Sequence, residues 1–237
     1  MNVIITGFMG TGKTAAGRRL AKRLGWRFVD VDQLIEASAK MPIAQVFRQR
    51  GEAVFRRLER RWIRRLVRGR QQVIATGGGA FVDEENRALL RVSGPVICLT
   101  ARPPVILQRV RPRLASRPLL AGSRDPLATI QALLARRAKA YAQADLTIDT
   151  SDLSVDDVVD RIWEQVSPYV CKSWQYLLEH TGDLSTRYGG KYVVVVDNRI
   201  VACGQTQLAA FQRARLSGGR EAGIYYIPLP EESLTAL

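Results

Sequence analysis

Cysteine is scarce in this chain: Cys98, Cys171 and Cys203 lie far apart, form no C-x-x-C pair and are odd in number. That pattern indicates neither a disulfide framework nor a zinc site, and a reducing compartment follows most simply. The single histidine, His180, stands near the end of a helical pattern and reads as a surface or capping group rather than a ligand. No apolar run approaches the ~18 residues of a membrane span. Residues 1 to 7 already read as a core strand, which leaves no room for a signal peptide, so the chain is expected in the cytoplasm. Aromatics amount to only 7% and are scattered, without a stacking motif for single-stranded nucleic acid. Acid is short as well: 22 Asp+Glu face 36 Lys+Arg, a formal charge of +14. Such a surface attracts anions, whether nucleotides, carboxylated metabolites, nucleic acid or anionic lipid, and charge alone does not choose among them.

What the chain does hold is a phosphate-binding loop. Gly7-Phe8-Met9-Gly10-Thr11-Gly12-Lys13-Thr14 completes the pattern G-x-x-x-x-G-K-[ST], follows the apolar run Val3-Ile4-Ile5 and opens a helical pattern that continues through Ala15 to Leu24. Gly10 and Gly12 can adopt backbone angles closed to other residues, so that successive N–H groups turn inward around phosphates at the positive end of a helix dipole. In such a loop Lys13 reaches the β- and γ-phosphates and the Thr14 hydroxyl faces Mg²⁺.

The remaining pattern alternates strands with helices. Strands are expected at Trp26 to Asp30, Gln72 to Ala75, Val96 to Leu99 and Leu146 to Ile148. Helices are expected at 32–38, 43–50 and 52–68, broken by Pro42 and Gly51, and at 84–90 behind the capping Asp83. Two more run from Pro103 to about Arg111 and from Asp125-Pro126 to Ala144, and Ser154-x-x-Asp157 is a capping box for a helix ending near Val166. Residues 112–124, with two prolines, a glycine and no period, are expected to form a mobile loop. The alternation predicts an α/β fold with a five-stranded parallel sheet flanked by helices, its ligands at the carboxyl ends of the strands. Three strand exits, at Gly7 to Thr14, Asp30 to Asp32 and Gly77 to Gly79, then converge on one crevice.

Taken in order, GFMGTGKT, Asp30-Val31-Asp32, Gly51-Glu52 with Phe55-Arg56-Arg57, Gly77-Gly78-Gly79, Arg117-Pro118-Leu119-Leu120 and Arg136-Arg137-Ala138 ahead of Tyr141 resemble the shikimate kinase family over roughly residues 1 to 166. The resemblance implies a P-loop fold of the nucleoside monophosphate kinase kind, with ATP and shikimate as small-molecule substrates, Mg²⁺ as cofactor, and transfer of the γ-phosphoryl group to the 3-hydroxyl. It further implies that Asp30 and Thr14 serve the metal and that Asp32 bonds the reacting hydroxyl. Arg56, Arg137 and the triplet Gly77, Gly78 and Gly79 would hold shikimate. Gly10, Thr11, Gly12, Lys13, Thr14 and Ala15 would hold the phosphates, with Arg117 on a lid and Arg109 near the adenine. Lys13, Asp32 and Arg117 are the catalytic residues so implied. The other arginines between Glu52 and Arg68, among them Arg60, Arg61, Arg64 and Arg65, are expected to form a solvated face. Two alternatives stand beside this reading: another kinase of the same fold, such as a gluconate-type or nucleotide kinase, and a basic nucleic-acid-binding protein that retains the loop.

Past Ser167-Pro168 the pattern changes, giving expected domains at 1–168 and 169–237. A helix from Trp174 to His180, strands at Lys191 to Asp197 and Ile200 to Cys203 around an Asp197-Asn198-Arg199 turn, a helix from Thr206 to Leu216 and a strand at Gly223 to Ile227 make a small α+β, ββαβ module. It is similar to a small family of unknown function with a G-K-[YW]-V-x-V-x-[DN] strand followed by V-A-x-G. Three strands bury little alone, so docking on the first domain or on another subunit is expected. The chain is expected to be a monomer, with self-association through this module as the alternative.

Overall fold

Val3, Ile4 and Ile5 are fully buried because β1 (Val3–Gly7) is the middle strand of its sheet. This computed structural model describes residues 1–170, 177, 180–196, 199–214, 222–227 and 229, which divide into two compact units, Met1–Trp163 and Glu164–Leu237. In the first unit β1 joins β2 (Arg27–Asp30), β3 (Gln72–Ala75), β4 (Val96–Thr100) and β5 (Leu146–Asp149) in the order β2-β3-β1-β4-β5, every pair parallel. Strands buried on both faces explain the unbroken apolar runs VII, VIA and VICL.

The helices are α1 (Lys13–Leu24), α2 (Val31–Ala39), α3 (Ile43–Leu66), α4 (Glu84–Ser93), α5 (Pro103–Val110), α6 (Pro126–Tyr141) and α7 (Val155–Val170). Their starts follow the expected caps. Asp30 accepts from Asp32 N, Asp83 from Asn86 N and Asp125 from Ala128 N, while Ser154 and Asp157 bond each other reciprocally at the start of α7. The two helices expected on either side of Gly51 form one element bent there, where the glycine takes φ 80° and ψ 163°. Helix α6 stops at Tyr141, short of the expected Ala144, and α7 runs past Val166 to Val170.

One expectation needs correction. The tract 112–124 carries local structure: a 3₁₀ turn spans Arg111–Ser116, and the Arg117 carbonyl then accepts from Leu120 N and Ala121 N. Leu114 and Leu120 lean on the main hydrophobic core, and two leucines spaced through a proline-rich tract leave no helical period for a sequence pattern to show.

In the second unit β6 (Lys191–Val196) lies between β7 (Arg199–Gly204) and β8 (Ala222–Ile227), antiparallel to both. Val193 and Val195 belong to a cluster with Leu184 and Ile227 on one face, and Val194 and Val196 pack with Ala210 on the other. Both faces of β6 are therefore covered, which accounts for its run of four valines. The helix Gln207–Ala214 lies within the expected span, and a helix at Thr181–Tyr188 is one the sequence pattern missed. Most of the expected helix at 174–180 and the Asp197-Asn198 turn lie outside the described residues.

Candidate active site

The phosphate loop leaves β1 at Gly7, whose φ of 129° and close approach to β4 admit only glycine: a Cβ there would stand 2.1 Å from the Leu99 carbonyl oxygen. Gly12, at φ 89°, then caps α1 in the left-handed region, so the free N–H groups of Lys13, Thr14 and Ala15 begin the helix at the loop's mouth. The loop is tied internally. Thr11 Oγ1 and Lys13 Nζ donate to the Phe8 carbonyl at 2.8 and 2.7 Å. Thr14 Oγ1 donates to Asp30 Oδ2 at 2.8 Å, which places a hydroxyl and a carboxylate side by side.

Beside Gly10, Thr11 and Gly12 lies a small cavity of ≈ 170 Å³, walled by Arg109, Thr150 and the start of α7. Arg109 donates to Thr150 Oγ1 at 2.9 Å and to the Thr150 carbonyl at 2.6 Å. The buried Thr150 hydroxyl lies 3.2 Å from the Thr11 carbonyl and 3.0 Å from that of Thr100, within donating distance of both.

A larger cavity of ≈ 370 Å³ opens on the other side of Thr14 and contains Asp30, Asp32, Arg56, Gly77, Gly78, Gly79, Arg117 and Arg137. The structure thus brings together residues that lie more than a hundred positions apart in the chain. The glycine triplet is required for space rather than for backbone angles. A Cβ on Gly77 would stand 2.8 Å from Asp32 Oδ1 and from Glu59 Oε1, one on Gly78 3.1 Å from Arg137 Nη1, and one on Gly79 2.6 Å from Arg56 Nη2. The three glycines together clear room for four charged groups around the cavity, Gly77 for two of them. Gly79→Ala is accordingly expected to displace the Arg56 guanidinium and raise KM for the molecule it holds by roughly tenfold, with the melting temperature nearly unchanged because the contact is with a flexible side-chain end. Steady-state kinetics beside a thermal melt check both halves.

Two residues in this site were given no role in the sequence reading. Glu59 is fully buried and accepts from Arg56 Nη1 at 2.7 Å, while Glu52 accepts from Arg56 Nη2 at 3.0 Å, so the guanidinium is held between two carboxylates. The available signal was an acid at i+4 from Phe55 and i−4 from Ile63, on the buried stripe of α3. Tyr141, four residues after Arg137, donates to the Gly78 carbonyl at 2.5 Å where Arg137 donates at 2.9 Å, so both α6 side chains fix the middle of the triplet. The Arg137 guanidinium also stands 5.1 Å from the centre of the Phe8 ring.

The electrostatics are those of a closed polar site. Burial lowers the Lys13 ammonium to about 8, against the opposing pull of Asp32 and Asp30. Burial, with Asp30 beside it, raises Asp32 above the ordinary carboxylate range, while Lys13 and Arg117 pull it back. Asp32 Oδ1, Glu59 Oε1 and Arg117 Nε are buried polar atoms without a protein hydrogen-bond partner, a costly arrangement at a site that a polar ligand would satisfy.

Glu59 makes this testable through pH. Burial lifts it from 4.5 to about 7 in spite of Arg56. Below 4.5 both folded and unfolded chains carry the proton; as pH rises through about 7 the folded chain must bury the charge, and the stability of the protonated form is lost. Melting temperatures of wild type and Glu59→Gln are expected to diverge in favour of Gln as pH rises across that window. Parallel curves would refute the buried titration.

A phosphate loop at the head of a parallel sheet, opening onto a cavity lined by four acidic side chains and three arginines, defines a P-loop kinase for a small molecule. A family model for shikimate kinase matches residues 9–167, and the chain belongs to that family. The shikimate kinase of Symbiobacterium thermophilum is 48% identical over 168 residues, covering 70% of this chain and 96% of that protein. That of Geobacter sulfurreducens is 49% identical over 161 residues, covering 68% and 88%. Among solved structures, shikimate kinase from Acinetobacter baumannii in complex with shikimate superposes with a TM-score of 0.68 at 34% identity, covering 72% of this chain and 95% of that one. Shikimate kinase from Bacteroides thetaiotaomicron does so at 0.65 and 31%, covering 70% and 98%. Residues 183–231 match a family of unknown function (DUF5678).

Proposed function

We infer that the chain transfers the γ-phosphoryl group of ATP to the 3-hydroxyl of shikimate, a step towards aromatic amino acids. The observation that carries this reading is the opening of Thr14, Asp32, Arg56 and Arg137 onto one cavity, with Lys13 close enough for its charge to act on Asp32. Arg56 and Arg137 grip the shikimate carboxylate, and the triplet Gly77 to Gly79 leaves room for its ring. Asp32 accepts a hydrogen bond from the reacting hydroxyl and takes its proton as the new P–O bond forms and the bond to ADP breaks. A carboxyl already biased towards protonation suits that task. Lys13 and Arg117 stabilise charge on the transferring group, which is most of what phosphoryl transfer asks of a protein. The adenine occupies the small cavity beside Arg109 and Thr150.

Thr14 Oγ1 and the Asp30 carboxylate would hold Mg²⁺. The fit rests on their chemistry: both are hard oxygen donors at the mouth of the phosphate loop, and this ion commonly takes one or two protein oxygens with phosphate and water completing the set. When bound it neutralises β- and γ-phosphate charge.

We further propose a kinase domain at 1–168, a separate module at 169–237, a cytoplasmic location and a monomer; no described helix is long and apolar enough to cross a membrane. The exposed Val201, Leu208, Phe211 and Tyr226 mark the module as the place where self-association would occur. A coupled assay for ADP tests the activity. Release is expected with shikimate and not with gluconate or nucleoside monophosphates, and equal release with gluconate would overturn the assignment.

A further inference from the structure

A third cavity of the first unit lies away from the active site. It measures ≈ 540 Å³, lies between the C-terminal end of α2 and the outer side of α3, and shares no residue with the two cavities of the active site. The arginines of α3 explain its character, because they fall into rows four residues apart. Arg56, Arg60 and Arg64 each meet a carboxylate: Glu52 and Glu59 for the first, Asp83 for the second and Glu85 for the third. The neighbouring row meets none. Arg64 borders the cavity while paired with Glu85; Arg61 and Arg65 of the neighbouring row, Arg68 just past the end of α3 and Arg50 from the other side of the Gly51 bend border it too and form no ion pair among the described residues.

These four guanidinium groups surround an aromatic floor. Trp62 lines the cavity half-buried, its indole N–H donating to Ser38 Oγ at 3.3 Å and the Arg65 guanidinium standing 5.7 Å from its ring centre. No acidic side chain lines the cavity itself, and Glu85 meets only Arg64 at its edge, so the other four cations face one another without a carboxylate partner among the described residues. The carbonyl end of α2 at Ser38 and Ala39 adds a partial negative charge. The expected solvated basic face is present, with Arg61, Arg64 and Arg65 exposed, and it is divided between paired and unpaired guanidinium groups.

We propose that this cavity is a second binding site, for a small dianion carried on an apolar ring. The ring lies on Trp62 and the arginine stems, and the two negative charges are forked by Arg61, Arg65, Arg68 and Arg50. A single carboxylate leaves most of the cations unmatched, and an inorganic anion leaves the apolar floor uncovered.

The test is calorimetric titration of the full-length chain with phenyl phosphate and with isophthalate, beside inorganic phosphate and a 20-nucleotide single strand. At least one ring-bearing dianion is expected to bind tenfold or more tightly than inorganic phosphate. That binding is expected to weaken at least tenfold in the double variant Arg61→Gln/Arg65→Gln and in Trp62→Leu, and to persist in Arg137→Gln, which alters the substrate cavity instead. Whichever probe binds more tightly assigns phosphate or dicarboxylate chemistry to the site. Affinity unchanged in the double variant, affinity lost in Arg137→Gln, or inorganic phosphate binding as well as both ring compounds would each overturn the proposal. So would binding of the oligonucleotide alone. Because Arg61 and Arg65 are exposed, their replacement does not endanger the fold.

Discussion

Replacing Asp32 by Asn lowers kcat for shikimate phosphorylation by about 10² to 10⁴, the range expected when a positioned general base is removed. The substitution keeps the size and one acceptor oxygen of the side chain but takes away its charge and its capacity to receive a proton. The Asp32 backbone N–H, which bonds Asp30 Oδ1 at 3.1 Å, is untouched, so α2 keeps its cap and the carboxylate next to Thr14 keeps its place. Nucleotide binding should therefore survive, and titration with ATP in the absence of shikimate is the control. Turnover within a factor of a few of wild type would remove Asp32 from the chemistry and leave the phosphate loop without an identified acceptor-side partner.

Arg137→Gln is expected to act on a different constant. Arg137 is a buried cation that donates to Gly78 O, stands over the face of Phe8 and forms no ion pair among the described residues. A buried cation without a carboxylate partner is what an incoming carboxylate would complete, and hydrogen bonds to charged groups contribute about 1.5 to 3 kcal/mol each. Loss of one such bond raises KM for shikimate by roughly ten- to a hundredfold, while KM for ATP stays where it was. Arg137→Lys separates charge from shape: it keeps the cation and loses the fork, so an intermediate KM is expected. Tyr141 still holds Gly78 in both variants, and their melting curves should show the triplet intact. A KM for shikimate equal to wild type in Arg137→Gln would place the carboxylate elsewhere, with Arg56 the first residue to examine.

The parts of the site legible in the sequence are those whose function is fixed locally. Gly7 to Thr14 needs only a strand before it and a helix after it, and Asp30 and Asp32 need only the exit of β2. Arg56, Arg137 and the glycine triplet were reached through resemblance, since nothing in their own surroundings marks them among 36 basic residues. The roles of Glu59, Tyr141 and Thr150 became visible only when strands and helices distant in sequence were brought together. Thr150, for instance, contacts a carbonyl 139 residues away.

The same limit applies to the fold. Helix Thr181–Tyr188 contains Gly182, Ser185 and Thr186, whose propensities favour turns, and it forms with Leu184 buried in the apolar cluster beside β6. The two rows of arginine on α3 look alike in sequence. They differ because Glu52 and Glu59 of α3 itself, with Asp83 and Glu85 at the start of α4, supply acids to one row, while α2 brings only Ser38 and Ala39 towards Arg61 and Arg65.

Thr150 has one more implication. By fastening the exits of β4 and β5 to the phosphate loop and receiving Arg109, a single hydroxyl shapes the rim of the cavity proposed for the nucleotide through contacts made within the protein. The conformational freedom of that rim is surrendered during folding, not when ATP arrives. Capture of the nucleotide then answers to encounter and orientation rather than to the slower rearrangement of a floppy edge.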